Sequence, residues 1–94
     1  MKILVSYDII ETPIRNRIID FLFNFGFQRI QFSVFLGEIS KKRLNTFVNS
    51  LQIIIDNEKD SLYIFNICEK DFNNCIFLGK IINKQFLNDS FLIF

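Results

Sequence analysis

The sequence predicts an α+β sandwich, with an antiparallel sheet on one side and two helices on the other. Three observations predict it. Residues 2–8, KILVSYD, alternate side chains in the manner of a strand. Two stretches, 13–25 and 41–55, carry apolar residues at helical spacing. Strand-like segments, FQRIQFSVFLGEI at 27–39 and SLYIFNIC at 61–68, follow each helix in turn. If the longer segment folds as a hairpin, the order is βαββαβ, the ferredoxin-like split βαβ unit. A chain of 94 residues makes one such domain.

The elements follow in order. In strand one, Ile3, Val5 and Tyr7 point one way and Leu4, Ser6 and Asp8 the other. Tyr7 is expected on the helix-covered face, as a core aromatic whose hydroxyl finds a hydrogen-bond partner. Thr12 and Pro13 start helix one, as cap and first helical residue. Its stripe is Ile14, Ile18, Phe21, Leu22 and Phe25, and Gly26 stops it. In strand two, residues 27–39, Ile30, Phe32, Val34 and Leu36 form an apolar face. Arg29, Gln31, Ser33 and Phe35 form the opposite face, expected to be the sheet's open side. The hairpin reversal is placed near Gly37, which is expected to supply a turn or bulge conformation. Ser40 caps helix two, with the stripe Leu44, Phe47, Val48, Leu51, Ile54 and Ile55. A polar turn spans 56–60. Strand three, residues 61–68, is apolar on both faces, so the open side of the sheet needs a cover. CIFLG, 75–79, is a short fourth strand, and FLIF, 91–94, a possible extra C-terminal strand. The domain therefore runs over 1–79, with 80–94 a tail whose strand is expected to contact the partner subunit.

Composition narrows the function. Half of the residues are hydrophobic and 13 are Phe, more apolar surface than a small two-layer domain hides, which points to a homodimer. No window approaches the roughly 18 apolar residues of a membrane span. Asp8 and Glu11 interrupt the first apolar run, unlike a signal peptide, and the expected location is cytoplasmic. No His is present, which excludes imidazole zinc sites and His-dependent triads. What remains is carboxylates, Arg, Lys and Tyr, a set suited to hard cations such as magnesium. Cys68 and Cys75 are expected to be reduced packing residues. A net charge of +1 supplies no global pull on nucleic acid.

Several residues admit two readings. Asp8 is a solvated strand-end or helix-capping carboxylate, or a ligand. Arg15 and Arg17 flank the stripe of helix one, roughly 80° to either side at about 100° per residue. Both sit near a helix start, where positive charge costs about 0.3–1 kcal/mol. Either they face an anion or they snorkel along the stripe. Arg29 can hold a phosphate as a bidentate fork. Phe35, on the same face, reads as an interface plug or as a platform for a base. Lys41, Lys42 and Arg43 read as a solvated helix end or a backbone contact.

Two segments carry a family resemblance. One is Tyr7-Asp8-Ile9 at the end of strand one, followed by a helix with Arg15 and Arg17. The other is RIQFSVFLGEI, residues 29–39, in the pattern R-x-Q-x-S-V-F-x-G-E. Together with length and element order, they make the chain resemble the CRISPR-associated Cas-two family of small adaptation proteins. The resemblance covers about residues 1–79; the surplus of Lys and Arg that many members show is missing. It implies a homodimer with a magnesium ion at its axis, held by the two copies of Asp8. It further implies an endonuclease cleaving RNA or DNA phosphodiesters in spacer acquisition and antiviral defence. Asp8 is then metal ligand and catalytic residue, with Arg15, Arg17 and Arg29 at phosphates and Phe35 near the cleft. The alternative is a non-catalytic dimer that bridges the adaptation integrase and supports duplex DNA. Outside the family stands a regulatory domain for a small molecule.

Overall fold

The computed structural model describes residues 1–80 and the backbone of residues 92 and 93. The element order is β1 (Lys2–Asp8), α1 (Thr12–Asn24), β2 (Gln28–Gln31), β3 (Val34–Glu38), α2 (Lys41–Ile54), β4 (Ser61–Ile67), α3 (Glu69–Asn73), β5 (Ile76–Phe77) and β6 (Leu92–Ile93). The main sheet runs β2-β3-β1-β4 with every pairing antiparallel. The ferredoxin-like βαββαβ unit is therefore present and complete by Ile67.

Local chemistry sets the helix ends. Pro13 lies in the first turn of α1, where its missing N–H costs nothing. At the other end Gly26 takes φ +90°. The Gly26 N–H donates to Phe23 O at 3.0 Å and the Phe27 N–H to Leu22 O at 2.9 Å. This pair of bonds satisfies the last carbonyls of α1 and turns the chain into β2. Ser40 precedes α2 as expected.

The core lies between α1, α2 and one face of the sheet. Ile3, Val5 and Tyr7 enter it from β1, Ile18 and Leu22 from α1, and Phe47 and Leu51 from α2. Phe47 is its hub, stacked on Phe27 at 5.1 Å and edge-on to Phe25 at 5.0 Å between ring centres. Such aromatic pairs add about 0.5–1.5 kcal/mol each beyond burial.

The structure corrects several expectations. First, residues 27–39 are two strands, and the chain reverses at Phe32-Ser33, not near Gly37. Second, the face assignment is inverted. Phe35 is fully buried on the helix-covered face. Ile30 and Leu36 are buried on the opposite face, with Phe72, against the half-buried Leu4 and Val34. The cause is register: Phe35 pairs with Val5 and Gly37 with Ile3, and cross-strand partners share a face. Third, Gly37 has no left-handed backbone. A Cβ there would lie 2.6 Å from the Phe27 ring, so the glycine makes room for a core aromatic. Fourth, CIFLG contributes only β5, which pairs in parallel with β6 outside the main sheet, and a short helix, α3, precedes it. Cys68 is exposed and caps α3, its Sγ accepting from the Asp71 N–H at 3.4 Å, so it is no packing residue.

The backbone of residues 92–93 forms a strand as expected, paired here with β5 of its own chain. The rest of the 80–94 tail beyond Lys80 lies outside the described residues. Among those described, no helix is long and apolar enough to cross a membrane. The sheet face away from α1 and α2 is only partly covered: Tyr63, Phe65, Ile76 and Leu78 remain 61, 49, 59 and 69% exposed.

Candidate functional site

The end of β1, the start of α1 and the β2–β3 turn enclose a surface cleft of about 610 Å³. Tyr7, Asp8 and Ile9 line it from β1 and the residue after it, Arg15 from α1, and Arg29, Phe32 and Ser33 from the hairpin. These segments meet because β1 lies centrally in the sheet, between β3 and β4.

Asp8, the last residue of β1, is exposed, and its carboxylate makes no hydrogen bond among the described residues. Arg15 is half-buried. Its Nε donates to Ile9 O at 3.2 Å, and its Nη2 to Ile9 O at 3.0 Å and Ile10 O at 3.1 Å. These charge-assisted bonds offset the unfavourable helix-start position and fasten the β1–α1 loop, leaving Nη1 uncommitted by them. The Ile10 N–H donates in turn to Asp60 Oδ1 at 3.1 Å, which ties the loop to the turn before β4.

The hairpin is anchored more firmly. Phe32 O accepts from Tyr7 Oη at 2.8 Å, from Arg29 Nε at 3.1 Å and from Arg29 Nη2 at 2.7 Å. The Tyr7 N–H donates to Ser33 O at 3.1 Å. The Arg29 guanidinium sits between two rings, 5.6 Å from the centre of Phe32 and 5.7 Å from that of Phe35. Burial pushes the Tyr7 hydroxyl above its usual pKa, opposed by the positive charges of Arg29 and Arg15. The hydroxyl therefore stays protonated near neutrality and acts as a donor.

The predicted site residues divide. Asp8, Arg15 and Arg29 share the cleft, with Tyr7 behind them. Phe35 is buried beneath Arg29 and cannot meet a ligand as an exposed platform; it is the floor under the guanidinium. Arg17 is exposed on α1 and does not line the cleft. Lys41, Lys42 and Arg43 are a solvated helix end, with Arg43 4.3 Å over the Phe25 ring. Sequence reasoning missed Phe32, assigned to a core face but 79% exposed at the turn, and Asp60. Neither carries a signal without the fold: the turn lacks Gly, Pro and Asn, and Asp60 acts across 50 positions.

No group of three or more carboxylate or thiol ligands exists among the described residues. One chain thus offers a divalent ion a single carboxylate, Asp8. Magnesium favours one or two carboxylates plus further oxygens such as waters and phosphates, so a lone carboxylate is the weak end of that range and needs reinforcement. A second copy of Asp8 would meet the need, and its exposure leaves it free to do so.

A family model described as CRISPR associated protein Cas2 matches residues 1–75. A CRISPR-associated endoribonuclease Cas2 of Desulforudis audaxviator is 32% identical over 71 residues, 76% of this chain and 67% of that protein. Another, from Chloroflexus aurantiacus, is 44% identical over 86 residues, 92% of this chain and 96% of that protein. The crystal structure of Streptococcus pyogenes Cas2 at pH 6.5 superposes with a TM-score of 0.69 at 29% identity, over 84% of this chain and all of that one.

Proposed function

The chain belongs to the Cas2 family of CRISPR-associated proteins, and from that premise we propose that it is a homodimeric, magnesium-dependent endonuclease acting in spacer acquisition. Its substrate is a phosphodiester of RNA or DNA. One observation carries this reading. Asp8 stands exposed and without a hydrogen bond among the described residues, in a cleft where two guanidiniums are already held in place. A capping aspartate would accept a backbone N–H, so the unbonded carboxylate is left open to a ligand.

The open sheet face supports the dimer. Tyr63, Phe65, Ile76 and Leu78 are too apolar and too clustered to suit water, and a second copy is the simplest cover. Bound between the two Asp8 carboxylates, magnesium would lower the pKa of a water and offset charge on the phosphate. The chain's own residues do the rest. Arg15 and Arg29, each fastened along one edge to backbone carbonyls, keep N–H donors for phosphate oxygens and lose little freedom on binding. Phe35 and Tyr7 keep Arg29 from swinging away. Arg17, outside the cleft, meets the backbone of neighbouring nucleotides.

A second reading is a non-catalytic dimer that bridges the integrase and supports duplex DNA. The net charge of +1 favours it, because a free nuclease gains from a basic groove. The two readings separate in one assay. Protein and its Asp8→Ala variant are incubated with labelled RNA and duplex DNA, with magnesium or with chelator. Magnesium-dependent cleavage that disappears in the variant supports catalysis. Equal products from both proteins remove Asp8 from the chemistry and leave the scaffold.

A further inference from the structure

Phe32 stands apart from the exposed apolar residues of the open sheet face. Tyr63, Phe65, Ile76 and Leu78 gather around the open sheet face, whereas Phe32 lies in the polar cleft with Asp8, Arg15 and Arg29. At 79% exposure its ring has almost no packing role, yet its position is closely controlled. Its own carbonyl accepts three hydrogen bonds, from Tyr7 Oη and from two nitrogens of Arg29, and the next carbonyl, Ser33 O, accepts a fourth from the Tyr7 N–H. A turn held by four bonds holds its backbone in place. An aromatic ring on a fixed backbone, close to cationic groups, is the arrangement that stacks unpaired nucleobases.

We infer that Phe32 is the base-stacking element of the cleft, its ring taking one unstacked base of a bound strand. The inference rests on the nucleic-acid reading of the cleft but not on cleavage. The base lies on the Phe32 ring while its phosphate reaches the free donors of Arg29 and Arg15. Charge complementarity selects this occupant over an apolar protein segment, because Arg29 lies against the ring and Arg15 lines the same cleft. A duplex keeps its bases stacked on each other and gains nothing from the ring. Stacking on a phenyl ring tolerates any base, so the site contributes affinity without sequence preference.

The test is binding to two labelled oligonucleotides of equal length, one with bases and one abasic, in chelator so that nothing is cut. Wild type, Phe32→Ala, Phe32→Leu and Phe32→Tyr are compared by fluorescence anisotropy. Wild type binds the base-bearing strand more tightly than the abasic one. Phe32→Ala and Phe32→Leu lose about 5- to 150-fold in affinity for the base-bearing strand alone, while Phe32→Tyr retains it. Sedimentation shows the same oligomer for every variant. Equal binding of both strands by wild type, or equal loss on both strands in Phe32→Ala, overturns the stacking role and leaves the cleft as a phosphate site. Failure of wild type to bind either strand overturns both the stacking role and the nucleic-acid reading. An altered oligomer in Phe32→Ala makes the ring an interface plug and also overturns it.

Discussion

The two faces of the main sheet are both apolar, yet only one is finished. Toward α1 and α2, Ile3, Val5, Tyr7 and Phe35 are at most 6% exposed. Toward the other side, Ile30, Leu36 and Phe72 form a small cluster, and Tyr63 and Phe65 of β4 stay largely open. The difference lies in the cover, not the strands. Two helices of 13 and 14 residues seal the first face, whereas among the described residues a five-residue helix and a two-residue strand only begin to seal the second. The first face makes the fold. The second keeps apolar surface exposed.

Substitutions on the two faces should therefore differ in kind. The largest effect is expected from Phe47→Ala, which removes the hub of the closed face and should cost about 3–5 kcal/mol in urea unfolding, much of the total margin of a small domain. Gly37→Ala follows, at about 1–3 kcal/mol, because its methyl group would meet the buried Phe27 ring. A midpoint unchanged from wild type would show that Phe27 can yield.

Tyr7→Phe sits at the junction of closed face and cleft. It should cost about 1 kcal/mol for the lost bond to Phe32 O, with a pH signature. The folded pKa lies above the usual 10.0, so the stability owed to the neutral hydroxyl is complete below pH 10 and fades as pH rises further. The gap between wild type and variant should narrow from about pH 10 upward; a gap constant with pH would refute the assignment. Phe65→Ser should change chain stability least, by about 0.5 kcal/mol or less, since Phe65 is 49% exposed. It should instead shift sedimentation from dimer to monomer. An unaltered dimer would place the second copy elsewhere.

Where the sequence was legible, a local rule had one answer. The strand alternation of β1, the Gly26 stop and the Tyr7 hydroxyl's need for a partner emerged as expected; helix one starts at Thr12-Pro13, but Glu11 and not Thr12 holds its cap position. Asp8, Arg15 and Arg29 line one cleft, and they had been grouped through a resemblance and not through any local rule. The failures cluster between Phe27 and Ile39. There the alternation was read correctly, but both faces carry large apolar residues, and the more continuous one was taken for the inside. Arg29, Gln31 and Ser33 made the other face look wet. They sit near the hairpin tip, while Phe27, Phe35 and Ile39 on the same stretch are core. Arg17 was grouped with Arg15 because both flank the stripe, but opposite flanks face different neighbours.

The amino-acid order alone determined the periods of the elements, their ends and their βαββαβ succession, since each depends on side chains only a few positions apart. Tertiary pairing alone decided which side of β3 became the interior, why Gly37 must lack a side chain, and that Phe32 rather than Phe35 faces the cleft. Those outcomes hang on register between β1 and β3, set by contacts more than 25 positions apart in the chain, and a strand viewed in isolation has two equivalent faces.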